Sequence, residues 1–211
     1  VKNSESITAL ALLPFLAEGI TYELDSATAV WLEEYPEVVK KGLIWLGSPR
    51  PQTDLQGSAP GAVDLDGLIS GVIVGCETSF LSGDRALKKN AVYALKSLVD
   101  RQSKEGSWQR TATETSETVL PTLRALLAMH IAQSCGIKPS TAVLRRANVF
   151  LESAACGPPE IPKSRFGRTP AGPPDLTATA AGLLLLQYQE EPIDSPVMVD
   201  GARFLAESVP S

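Results

Sequence analysis

No run of lysine or arginine occurs in this sequence, and 24 acidic residues against 19 basic ones leave a net charge of −5. Binding to a phosphate backbone or an anionic membrane needs a basic face, so neither is expected. Histidine is scarcer still, with His130 alone. That removes nucleophilic triads built on an imidazole base. A metal site would have to draw carboxylates and thiols from distant segments, so neither metal nor cofactor is expected. The three cysteines, Cys76, Cys135 and Cys156, lack CxxC spacing, which indicates neither a disulfide framework nor a zinc knuckle. Buried thiols are the expectation.

Long hydrophobic runs are missing too. The longest, ITALALLPFLAEGI at residues 7–20, is interrupted by Pro14 and Glu18 and falls short of the ~20 residues that cross a hydrocarbon core. It reads as a buried helix. As a secretory signal it is poor, because Lys2 is the only positive charge before it and Pro14 breaks it. No alternating β-type segment stands out. What remains, 44% hydrophobic and 20% charged residues over 211 positions, is the composition of a soluble globular chain, with its compartment left open.

What is present is repetition. KGLIWL at 41–46, RANVFL at 146–151 and DGARFL at 200–205 each place a small residue, an aromatic three positions later, then leucine. AVYALKSL at 91–98 is a fourth copy, with Ser97 in the aromatic slot. The leucines, Leu46, Leu98, Leu151 and Leu205, are 52, 53 and 54 residues apart, a period that indicates a stacked or circular array. Between these copies lie segments rich in leucine and small residues, at 6–19, 64–75, 115–132 and 175–189. Helices apolar around most of their circumference are enclosed by neighbours. The first set has one apolar and one charged face, which suits an outer position.

Proline- and glycine-rich stretches before Val63 and Asp175 read as long surface loops. Ser4 or Ser6, Asp64, Thr115 and Asp175 precede the enclosed helices as N-caps, each worth about 1 kcal/mol. The sequence therefore predicts an all-α chain of about eight main helices, with an extra turn near Ser26–Tyr35. Cys76 and Cys135 fall near the ends of successive enclosed helices, where they can approach and a disulfide is conceivable. Cys156 ends an oppositely running helix.

The stretch QSKEGSW at 102–108, read with the preceding helix from Ala94, resembles the QW repeat of the squalene cyclase and prenyltransferase families. Gln102, Gly106 and Trp108 match; Tyr93 and Ser97 depart from the pattern, and Arg50 and Ala155 occupy the glutamine slots of other copies. Physically, Gln102 can bond backbone groups left open at helix termini. Gly106 permits a positive φ, and Trp108 offers a broad apolar surface. The stretch reads as a structural clip. The resemblance implies an α/α toroid, inner helices lining a cavity and outer helices around them, here built of about four hairpins. With six hairpins in a closed ring, residues 1–211 are expected to be one repeat domain of a longer protein, or an open arc.

Class II terpene cyclases of this family protonate an alkene with a DxDD motif. The similar stretch here, DLDG at 64–67, keeps Asp64 and Asp66 but has Gly67 in the last position. A proton donor to a hydrocarbon needs a neutral acid oriented by partners. The competing reading makes Asp64 a cap and Asp66 a first-turn acid favoured by the helix dipole. Cationic intermediates need aromatic faces, whereas the inner segments offer only Phe15 and Tyr188, and Trp31, Trp45, Tyr93, Phe150 and Phe204 are assigned to packing between layers. Prenyltransferase zinc would take Asp, Cys and His, but His130 and Cys135 lie roughly 140° apart around a helix. The expected function is accordingly a noncatalytic repeat module. It would bind a hydrophobic small molecule, or further repeats of its parent protein, through an apolar concavity or edge. A cyclase using Asp66 with Asp64 is the alternative.

Overall fold

Leucine and alanine at helical spacing, with β-branched residues scattered rather than alternating, favour helices throughout. The computed structural model describes residues 65–83, 85–109 and 119–208, with Leu12, Val39, Lys41 and Gly42. Asp64, Thr115 and the expected turn near Ser26–Tyr35 lie outside the described residues. Among the described residues, the elements run in order α1 (Leu65–Ser82), α2 (Arg85–Val99), α3 (Val119–Ser134), α4 (Thr141–Ala154), α5 (Leu176–Tyr188) and α6 (Pro196–Ser208). Among the described residues the fold is all-α apart from two dipeptide strands, β1 (Ala155–Cys156) and β2 (Arg165–Phe166), which pair antiparallel. Two compact units are distinguished, Val1–Leu98 with Ile131–Lys138, and Val99–His130 with Pro139–Ser211.

In the first unit, α1 buries Leu65, Leu68, Ile69, Val72, Val74, Cys76 and Thr78. These residues fall all around its axis, as its composition predicts. It runs to Ser82, seven residues beyond the expected end at Gly75, and carries Phe80 out into solvent at 74% exposure. The α2 helix buries Leu87, Ala91, Leu95 and Leu98 along one stripe. Tyr93 points the opposite way and is 72% exposed, so packing between layers does not account for it. Small residues set the close approach of the two helices: a Cβ on Gly75 would lie 3.0 Å from Ala91 Cβ, and one on Gly71 would lie 3.6 Å from Ala94 Cβ. Gly42 likewise lies against the Leu12 side chain. The small slot of the repeat is therefore where an amphipathic segment meets an apolar one.

In the second unit, no residue of α3 from Val119 to His130 is exposed. On α4, Val143, Ala147, Phe150, Leu151 and Ala154 form a buried stripe. Helix α5 packs on α6 and on β2. Asp175 caps α5 as expected: its Oδ1 accepts from the Ala178 N–H at 2.9 Å and its Oδ2 from Arg168 Nε at 2.7 Å. Burial alone would raise this carboxyl, but the Ala178 N–H and the Arg168 guanidinium hold its pKa below the ordinary carboxylate value.

Two expectations about this unit need correction. The connection from Ala155 to Pro174 is more than a surface loop, because β1 and β2 fold it back and bury Ser164 and Phe166. A pairing of two residues per strand is too short to leave an alternating pattern. Cys156 consequently sits on β1, beyond the end of α4. Second, α5 is apolar around its circumference yet not enclosed: Leu176, Leu184 and Tyr188 are 39%, 42% and 45% exposed.

Candidate functional site

The clip forms as a built joint. Gln102 follows α2 in a turn closed by its own N–H on the Val99 carbonyl at 3.1 Å. Its Nε2 donates to the Gly106 carbonyl at 3.0 Å, across the loop, and to the Val143 carbonyl at 2.9 Å in the first turn of α4. The amide thus uses spare lone pairs of carbonyls rather than open groups at a helix end, which corrects the expected target. Its Oε1 accepts from Arg146 Nε at 3.1 Å and Nη2 at 2.6 Å.

Gly106 has φ +100°, and a Cβ there would collide with the Arg146 carbonyl. Both features demand glycine. Trp108 is fully buried, and its backbone N–H donates to Thr122 Oγ1 on α3 at 3.1 Å. Ser103 and Ser107 close the loop between them through their hydroxyls, 3.0 Å apart.

A second joint stands one hairpin later with different chemistry. The Phe166 N–H donates to Thr179 Oγ1 on α5 at 3.0 Å, as Trp108 does to Thr122. In place of glutamine, Ser164 Oγ and Arg165 bind buried Asp200 on α6: Ser164 Oγ to Oδ2 at 2.7 Å, Arg165 Nε to Oδ2 at 3.1 Å and Nη2 to Oδ1 at 3.2 Å. The Arg165 guanidinium also lies over the Phe204 ring, 4.9 Å from its centroid. Arg165, then Ser164, hold the Asp200 carboxyl below the ordinary carboxylate range. Gly201 packs against the Ser164 carbonyl and Leu183, and Gly182 receives the Phe166 ring.

No local pattern in the sequence marks Thr122, Thr179, Ser164 or Arg165, and Arg146 and Asp200 stand out there only as the first letters of repeat copies. A signal existed for some: Trp108 and Phe166 are 58 residues apart and Thr122 and Thr179 are 57, an offset hidden from the leucine spacing by the longer loop of the second copy.

Asp66 lies half-buried in the first turn of α1, where a carboxylate meets the positive end of the helix dipole. Its proposed companion Asp64 lies outside the described residues, so the pair has no described geometry. His130, half-buried near the end of α3, has its Nε2 3.4 Å from Gln189 Nε2, and burial pushes its pKa below the ordinary value. Among the described residues, no group of three or more His, Cys, Asp or Glu side chains is arranged to hold a metal ion. None of the described helices is long and apolar enough to cross a membrane.

Part of the α5 surface is apolar and exposed. Leu176, Ala180, Leu184 and Tyr188 recur every four residues and so share one face of the helix, flanked by Thr177 and Gln187. Comparison of the chain with the profiles of known protein families, with curated protein sequences and with solved structures finds no match.

Proposed function

We propose that this chain is a noncatalytic helical repeat module, of the squalene-cyclase-like kind its QW stretch resembles, whose working surface is the exposed face of α5. The observation that carries the reading is the row Leu176, Ala180, Leu184 and Tyr188, left accessible on a helix whose composition is that of an enclosed one. Side chains four apart form a ridge, and ridges pack into the grooves of another helix. The surface is therefore suited to a helical partner rather than to a small molecule. Covering each large side chain contributes about 1.5–3 kcal/mol at most, while free association costs about 4–15 kcal/mol. A ridge with only three large side chains holds a tethered hairpin far better than a diffusing one, which favours a further repeat as the occupant.

The test uses an environment-sensitive anilinonaphthalene dye as a reporter of the open ridge. Native protein is expected to enhance its emission, and the Leu184→Lys/Tyr188→Lys double variant to lose most of that enhancement with unchanged far-ultraviolet circular dichroism. Equal emission from both would remove α5 as the working surface. Incubation with a linear isoprenoid addresses the cyclase alternative: a cyclic product that disappears in Asp66→Asn would replace this reading with an enzymatic one.

A further inference from the structure

The first unit contains a pair of thiols that neither the repeat packing nor the proposed docking surface uses. Cys76 is fully buried on α1, and Cys135 follows the last residue of α3, half-buried. The end of α3 fixes Cys135 in place. The Gly136 N–H donates to the Gln133 carbonyl at 2.9 Å and the Ile137 N–H to the Ala132 carbonyl at 2.8 Å, while Gly136 takes φ +73° and Ile137 is buried. This is the two-bond closure with which glycine commonly ends a helix. It leaves Cys135 hydrogen-bonded, side chain to side chain, with Cys76. The two thiols, 59 residues apart in sequence, are thus neighbours in the fold.

We propose that Cys76 and Cys135 form a modification site, a dithiol that exchanges with low-molecular-weight disulfides and closes into an intramolecular disulfide. Cys135, the more accessible of the two, is the attacking group. Its thiolate displaces one half of the external disulfide as a thiolate, forming a mixed disulfide on Cys135. The Cys76 sulfur then attacks Cys135 Sγ; the Cys76–Cys135 bond forms, the mixed disulfide breaks, and the Cys76 proton leaves with the second half as a thiol. Two protein thiols are oxidised and one small disulfide is reduced to two thiols.

The surroundings set the order and pace of these steps. Burial pushes the Cys76 thiol up to about 12, with Cys135 and Glu77 adding to it and Lys88 opposing. Burial also raises Cys135, but there the Cys76 hydrogen bond and the Lys88 ammonium oppose the rise and Glu77 adds to it. Exchange needs thiolate, so closure is slow at neutral pH and accelerates as pH rises.

Intact protein is incubated with excess oxidised glutathione at about pH 8.5, where an ordinary thiol is half ionised, then alkylated and mapped by mass spectrometry. The expected product has lost two of its three thiols to a single Cys76–Cys135 cross-linked peptide pair. Cys156→Ser should form the same cross-link, and Cys76→Ser should stop at glutathione held on Cys135. A wild-type map in which glutathione stays on Cys135, or in which Cys76 and Cys135 both remain alkylatable while Cys156 is modified, would overturn the proposal. That result needs no variant to fold, and it is independent of the dye experiment on α5.

Discussion

Gln102, Gly106 and Trp108 each hold their place for a different reason, and what each residue type can do there was readable in the sequence. Glycine is demanded by φ +100° and by the Arg146 carbonyl beside it. Gly106→Ala is expected to destabilise by about 1–3 kcal/mol, the usual cost of backbone strain. Trp108→Ala should cost more, about 3–5 kcal/mol, because it empties a fully enclosed site. Gln102→Ala leaves two carbonyls and Arg146 without this amide, at about 1–3 kcal/mol. Urea unfolding of the three variants measures the series; a Trp108→Ala loss no larger than that of Gln102→Ala would argue against the buried ring as the anchor. The partners were not readable. Arg146 lies 44 residues from Gln102 and Thr122 lies 14 from Trp108, and no local pattern names a residue at such separations.

Individual helices followed from periodicity wherever one face is decisively apolar. The stripe Leu87, Ala91, Leu95 and Leu98 on α2, and Val143, Ala147, Phe150 and Leu151 on α4, are what spacing predicts. Where a helix is apolar all round, periodicity says only that it wants cover, and α3 and α5 received different amounts of it. The strand pair after α4 left no signal because its order comes from the contacts of Phe166 and Ser164 with α5 and α6.

The ion pair between that segment and α6 has a pH signature. Asp200 titrates below its ordinary value of 3.8 when folded, so in that range the unfolded chain binds more protons and stability rises with pH. Its contribution is complete above about pH 4 to 5 and is lost as pH falls through the folded value. Thermal melting of wild type and Asp200→Asn across the acid limb is the check. The variant should be less stable at neutral pH and less sensitive to acid, and curves that stay parallel would show that Asp200 is not linked to folding.

Among the described residues, the second unit repeats a joint. Gln102 with Arg146 on α4, and Arg165 with Asp200 on α6, tie a loop to the early turns of a helix, with the backbone N–H of an aromatic residue on a threonine each time. If the joints are equivalent, Thr122→Val and Thr179→Val should destabilise alike, by about 1–3 kcal/mol each for loss of the hydroxyl that accepts the backbone N–H. A loss confined to one of them, measured by chemical unfolding, would separate the two joints.

Helix content and the buried stripes of α2 and α4 followed from residue order, because each rests on spacing within a few positions along the chain. The partners of Gln102 and Asp200, the pairing of Cys76 with Cys135 and the bare face of α5 were settled only by folding. Each depends on which surfaces meet across tens of residues, and the hydrophobic effect that drives such meetings is non-directional, so a side chain's need for cover does not specify what provides it.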